Sequence, residues 1–162
     1  MTATTLSTIA RWLTDHGQSA RLTETGLDLG GDDTVLEVRS SGEGWTVRKF
    51  WRDQDRGVTF AAAAAADVDR YLAVISAGEV RTRLGLERLR NDVQLDDGTS
   101  VAQPGYTLTG DLSDGFVLTD SASGRSWTFA SDVDAARYSR YAHLAPDDVR
   151  ALITAPAGRL PT

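Results

Sequence analysis

Two segments of this chain are near copies of each other. Gly57 to Ile75 reads GVTFAAAAAADVDRYLAVI, and Arg125 to Leu144 reads RSWTFASDVDAARYSRYAHL. Each carries a strand ending in Thr-Phe-Ala, then Asp-Val-Asp, then Arg-Tyr inside a helical pattern, with a gap of a few residues between the copies. A strand-to-helix unit made twice constrains the fold more than any other feature. Half of this chain, roughly 70 residues, buries only a marginal core alone, so the two units are expected to share one. The fold class predicted is α+β: two similar antiparallel β-meander-plus-helix halves sharing a core, with an N-terminal helix. The expected organisation is a single domain over 1–162, with the helix at 5–16, the first half at about 20–90 and the second at about 91–154.

The local signals fill in that plan. Leu6, Ile9, Trp12, Leu13 and His16 follow the spacing of one helical face. Thr5 or Ser7 is placed to cap that helix, and Gly17 to end it in the left-handed conformation. Short strands follow at Ala20 to Thr25 and Leu27 to Leu29, with a turn at Gly30 to Asp33. Along Trp45 to Arg52, Trp45, Val47, Lys49 and Trp51 share one face and Thr46, Arg48, Phe50 and Arg52 the other. Trp45, Val47 and Trp51 are expected to pack inward, and Asp53 to Gly57 to form a five-residue hairpin loop. A helix is expected from about Ala61, with Val68, Tyr71, Leu72 and Ile75 as its apolar face and Gly78 as its stop. Residues 79–92 fit neither period and read as a connector. In the second half, strands are expected near Tyr106 to Thr109, at Phe116 to Asp120 and at Ser126 to Ala130. A helix beginning near Ser131 places Tyr138, Tyr141, Ala142 and Ala145 inward. A last helix runs from Pro146 to Ile153 with Val149, Leu152 and Ile153 inward, and Ala155 to Thr162 reads as a loose tail.

Composition excludes several classes of activity. The 162 residues include no cysteine, so disulfides, thiolate metal sites and a cysteine nucleophile are ruled out. The net charge of −6 argues against a general nucleic-acid binder, because phosphate contacts rest on Lys and Arg. A basic partner suits it better. Lys49 is the single lysine among 17 basic residues, an arginine bias that a GC-rich genome explains. No apolar run approaches the roughly 20 residues a membrane span needs, and the first residues lack the basic start and apolar core of a secretory signal. A cytoplasmic protein that binds neither membrane nor nucleic acid is the expectation.

Candidate chemistry is sparse. His16 and His143 are the only imidazoles, in different elements and without a second ligand at metal spacing, so no metal or cofactor is expected. DLGGDD and QLDDG have neither the length nor the ligand order of a calcium loop, and acids beside glycine read as turns. No phosphate loop or Gly-x-Ser-x-Gly elbow occurs. In the segment from Gly124 to Leu144, helical spacing accounts for the tyrosines as core and the arginines as outer face. No residue there has a base or nucleophile beside it, so no catalytic residue is assigned. A binding surface is the stronger reading: Trp51, Arg52, Asp53, Gln54, Asp55 and Arg56, at the end of a rigid hairpin, carry residue types enriched in interface hot spots.

The run SWTF, an acidic helix start, and then RYSRYAHLAPDDVRALI resembles the C-terminal part of actinobacterial immunity proteins. These are the antitoxins paired with NAD-degrading toxins of the tuberculosis-necrotizing-toxin kind. The resemblance covers Gly105 to Ile153 and reaches the first half through its similar plan of strands and helix. It implies a cytosolic protein that forms a 1:1 complex with a cognate toxin and blocks its NAD-binding cleft. The alternatives are a chaperone or adaptor for a secreted effector, and a small-molecule-binding domain or minor enzyme using His143 with Tyr138 or Arg137.

Overall fold

The computed structural model describes residues 2–90 and 92–158. Helix α1 spans Thr2–Asp15, and strands β1 (Ser19–Leu22), β2 (Gly26–Gly30), β3 (Thr34–Ser41), β4 (Gly44–Trp51) and β5 (Gln54–Ala62) follow. Helix α2 (Ala65–Arg83) precedes a two-residue hairpin of β6 (Leu95–Asp96) and β7 (Thr99–Ser100). Strands β8 (Tyr106–Asp111), β9 (Gly115–Asp120) and β10 (Ser126–Phe129) lead to α3 (Asp132–Tyr138) and α4 (Pro146–Thr154). This is the expected α+β arrangement with its N-terminal helix.

The two meanders are fused into one antiparallel sheet of eight strands, ordered β1-β2-β3-β4-β5-β10-β9-β8. The seam is the repeated tripeptide. Phe129 pairs with Phe60 and Thr128 with Ala61, and the amide of Ala130 donates to the carbonyl of Thr59 at 3.1 Å. Thr-Phe-Ala therefore lies antiparallel against Thr-Phe-Ala, about a local two-fold axis between the two phenylalanines. The repeated tyrosines close over them. Tyr71 of α2 stacks on Phe60 at 4.2 Å between ring centroids, and Tyr138 of α3 lies 5.5 Å from Phe129 and 5.6 Å from Phe60. These four rings are buried, and offset or edge-on pairs of this kind add stability beyond their area.

The helices cover one face of the sheet. Leu27, Val38, Val47, Phe60, Leu118 and Phe129 form one cluster with Ile9 and Leu13 of α1, Leu72 of α2, Tyr138 of α3, and Val149 and Ile153 of α4. The opposite face is open and bears a ladder of charge. Arg21, Asp28, Glu37 and Arg48 are successive cross-strand partners, and Arg39 binds Asp28 at 2.7 Å.

Buried polar groups tie α2 to the second half. The Asp67 carboxylate accepts two hydrogen bonds from Arg125, at 2.9 and 3.0 Å, and one from the Tyr138 hydroxyl at 3.3 Å. It also pairs with Arg70, whose Nε donates to the carbonyl of Leu144. Asp69 pairs with Arg150 of α4. Arg81 is 2% exposed and donates to the carbonyls of Ile153, Ala155 and Glu87. A guanidinium placed at the C-terminal end of α4 meets carbonyls that have no helical partner, where the helix dipole favours a cation.

Several local expectations are corrected. Helix α1 starts at Thr2, so Thr5 and Ser7 both lie inside it rather than at its start. Gly17 does end it, at φ +82°, with the amide of Gln18 reaching the carbonyl of Leu13. Helix α2 begins at Ala65 because Ala61 and Ala62 continue the ladder, opposite Thr46 and Trp45. It runs through Gly78, since Val80 and Arg81 have burial to gain in the next turn, and stops at Gly85. There φ is +68° and the amide of Leu86 bonds the carbonyl of Arg81. Residues 79–83 are thus helical, and only those beyond remain a connector. Tyr138 ends α3, so Tyr141 and Ala142 are buried from a turn, while Ala145 is exposed as the N-cap of α4. Of the expected loose tail, Ala155 and Pro156 are held through their carbonyls by Arg81, and 159–162 lie outside the described residues.

Candidate partner-binding site

The β4–β5 hairpin turns on two residues where five were expected. Trp51 pairs with Gln54, and between them Arg52 and Asp53 have φ of +48° and +63°. Two successive left-handed residues make the turn whose twist matches a hairpin. Arginine seldom adopts that conformation, so the turn stores strain. It is held from outside: the amide of Arg52 donates to the carbonyl of Asp33 at 2.7 Å, and its side chain meets the Asp33 carboxylate at 3.3 Å. Gln54, Asp55 and Arg56, expected in a loop, are paired or bulged strand residues.

The six candidate residues Trp51 to Arg56 are brought together and all are exposed. Trp51 does not pack inward as expected. It lies beyond the helices, 38% exposed, with the guanidinium groups of Arg52 and Arg56 at 4.7 and 5.0 Å from its ring centre. Arg56 also donates to the Gln54 amide oxygen at 3.0 Å. Asp55 turns back on its own hairpin, accepting from the amide of Gly57 and pairing with Arg48, both at 2.8 Å. Those contacts, the backbone one foremost, hold its carboxyl below the usual carboxylate range. The tip therefore presents an aromatic plate clasped by two cations, with Asp53 at its apex.

Beside the tip, a cleft of about 480 Å³ opens between the sheet and the helices. Lys49 and Leu36 form its sheet side, Tyr71, Val74 and Ile75 its α2 side, and Asp134 and Arg137 its α3 side. A β-bulge builds part of it. Val47 pairs with Phe60 but Arg48 with Val58, leaving Thr59 as the extra residue. Its hydroxyl accepts from Tyr71 at 3.3 Å and donates to the carbonyl of Val47 at 3.2 Å. Burial pushes the Tyr71 phenol up to about 12. Burial likewise raises the Asp134 carboxyl, against the pull of Arg137 and then Lys49. This cleft escaped the sequence reading, although one signal was present: Lys49 falls in phase with the core residues Trp45 and Val47.

His143 lies elsewhere. It is exposed on a shallow depression with Gln103, Tyr106, Ser139 and Arg140. The Ser139 hydroxyl is committed to backbone, donating to Ala136 at 2.6 Å and accepting from Gln103 at 2.9 Å. Tyr138 points to Asp67 and Arg137 lines the cleft, so the structure does not assemble His143 with either.

The comparisons with known proteins bear on the whole chain. The solved structure of Rv3902c from M. tuberculosis matches with a TM-score of 0.76, covering 94% of this chain and 90% of that one at 18% identity. At that identity the likeness is one of fold. No curated protein matches the sequence. The family model described as Immunity protein 61 matches residues 12–159, from the last turn of α1 to beyond α4. The chain belongs to the Immunity protein 61 family.

Proposed function

We infer that this immunity protein protects its producing cell by binding a cognate secreted toxin 1:1 in the cytoplasm and occluding the toxin's active-site cleft. The toxin is an NAD-degrading glycohydrolase. The observation that carries the reading is the family match over residues 12–159. The resemblance of Gly105 to Ile153 to antitoxins of that toxin class supplies the target. A net charge of −6 suits the approach to a cleft built for an anionic dinucleotide, since opposite charge steers association. No described helix is long and apolar enough to cross a membrane.

The hairpin tip, Trp51 to Arg56, is the part of the surface assigned to the toxin. An exposed tryptophan on a strained, externally braced turn is the kind of rigid anchor that dominates interface energies. The test is co-expression with candidate secreted toxin domains, beginning with any that an adjacent gene encodes. The expected result is survival, a stable complex, and NAD hydrolysis that stops when the two are mixed. A complex that leaves hydrolysis intact supports the chaperone or adaptor role instead. Alanine at Asp53, Gln54, Asp55 and Arg56 together, with inhibition unchanged, removes the tip from the interface.

A further inference from the structure

The cleft beside the tip holds an unmatched cation. Lys49 reaches it from β4, half-buried, two residues from Trp51 on the same face of the strand. Among the described residues Lys49 forms no ion pair, whereas the neighbouring Arg48 is paired to Asp55. Arg137 stands on the opposite wall, and its nearest carboxylate, Asp134, is 3.9 Å away. Two cations thus face one carboxylate, and the cleft is locally positive in a chain whose net charge is −6. A partly desolvated ammonium that shares its one nearby carboxylate with a guanidinium is under-neutralised, and a second carboxylate entering from outside relieves that cost. Leu36, Val74 and Ile75 offer apolar walls for the stem of such a group, and Ile75 is 38% exposed at the rim.

We propose that this cleft is a socket for an aspartate or glutamate side chain presented by the toxin, with Lys49 and Arg137 as its cationic contacts and Trp51 as the adjoining apolar anchor. The proposal rests on the immunity reading and adds to it a chemistry for the contact. Charge complementarity argues for this occupant. An acidic chain repels acidic partner surfaces at long range, so a local positive socket rewards only a carboxylate delivered at one place, and that gives register as well as affinity.

Lys49 being the sole lysine makes the test direct. A carbodiimide condenses an amine and a carboxylate in contact into an amide. In the complex with the toxin domain recovered by the rescue assay, any side-chain amine this chain contributes is Lys49. The expected product, read by mass spectrometry, joins Lys49 to a toxin Asp or Glu. Lys49→Met is expected to weaken binding by about tenfold or more and Lys49→Glu further, with Lys49→Arg close to the parent and all three melting alike. If the complex forms and inhibits, but Lys49 gives no such product and the Met and Glu variants bind within about twofold of the parent, the socket is wrong and the immunity role stands. If the parent neither binds nor inhibits the toxin, the immunity reading falls and takes the socket with it.

Discussion

The seam between the repeated tripeptides yields a sharp test of whether the two halves share one core. Phe60 and Phe129 are 0% and 1% exposed, with ring centroids 5.1 Å apart and tilted by 62°. Phe60 has two further aromatic neighbours, Tyr71 and Tyr138, and Phe129 has the same two at 6.2 and 5.5 Å. Replacing either ring by leucine keeps most of the apolar area but forfeits three ring pairs. At about 0.5–1.5 kcal/mol for each pair, a single substitution costs about 1.5–4.5 kcal/mol. The Phe60–Phe129 pair is lost in both single variants and only once in the double. The double variant is therefore expected to be more stable than the sum of the singles implies, by about 0.5–1.5 kcal/mol. Urea unfolding followed by tryptophan fluorescence and by far-ultraviolet circular dichroism measures this, provided the two signals change together. Additivity within about 0.3 kcal/mol, or two separated transitions, would refute a shared core and leave two halves that merely touch.

Three other outcomes follow from named contacts. Arg81→Met leaves the carbonyls of Ile153 and Ala155 without their donor. A loss of about 2–4 kcal/mol is expected in thermal melts, with faster proteolysis after α4; an unchanged melting temperature means water replaces the guanidinium. The amide of Ser100 holds the Asp132 carboxyl below 3.8, so the folded state binds that proton more weakly than the unfolded chain. The stability it contributes is full above 3.8 and is lost as pH falls through the lowered value, and Asp132→Asn should flatten that acid limb in pH-dependent urea titrations. Changing Arg52 to Asn together with Asp53 to Gly relieves the left-handed turn, and a gain of about 0.5–1 kcal/mol is expected. A variant that is no more stable means the Asp33 brace already offsets the strain.

The legible parts of the fold were those fixed by local chemistry. Gly17 ends a helix because a left-handed residue is needed there, and the inward face of α4 follows from period alone. Errors arose where a neighbour overrode a local preference. The alanine run after Phe60 has the best helix propensity in the chain, yet its first two members are strand because β4 offers them a ladder. Asp-Gln-Asp-Arg-Gly has loop composition, yet all but its first residue pair or bulge within β5, since β4 extends far enough to meet them. For the candidate site, the exposure of Asp53 to Arg56 is readable from residue type, whereas that of Trp51, expected inward, is not. The cleft beside the tip is not readable either, because β3, β4, α2 and α3 each supply part of its wall and no spacing along the chain records that meeting.

By itself the sequence determined that a strand-to-helix pattern recurs, that either half alone buries only a marginal core, and that a chain without cysteine forms no disulfide and no thiolate metal site. Tertiary structure decided how the copies meet. Backbone hydrogen bonding is blind to side-chain identity, so nothing in the order of residues states that Thr-Phe-Ala lies antiparallel on its own repeat, or that Lys49 and Arg137 face each other across a gap. Those outcomes depend on closing one sheet across the seam while burying two Phe-Tyr pairs in one volume, which only the whole chain can satisfy at once.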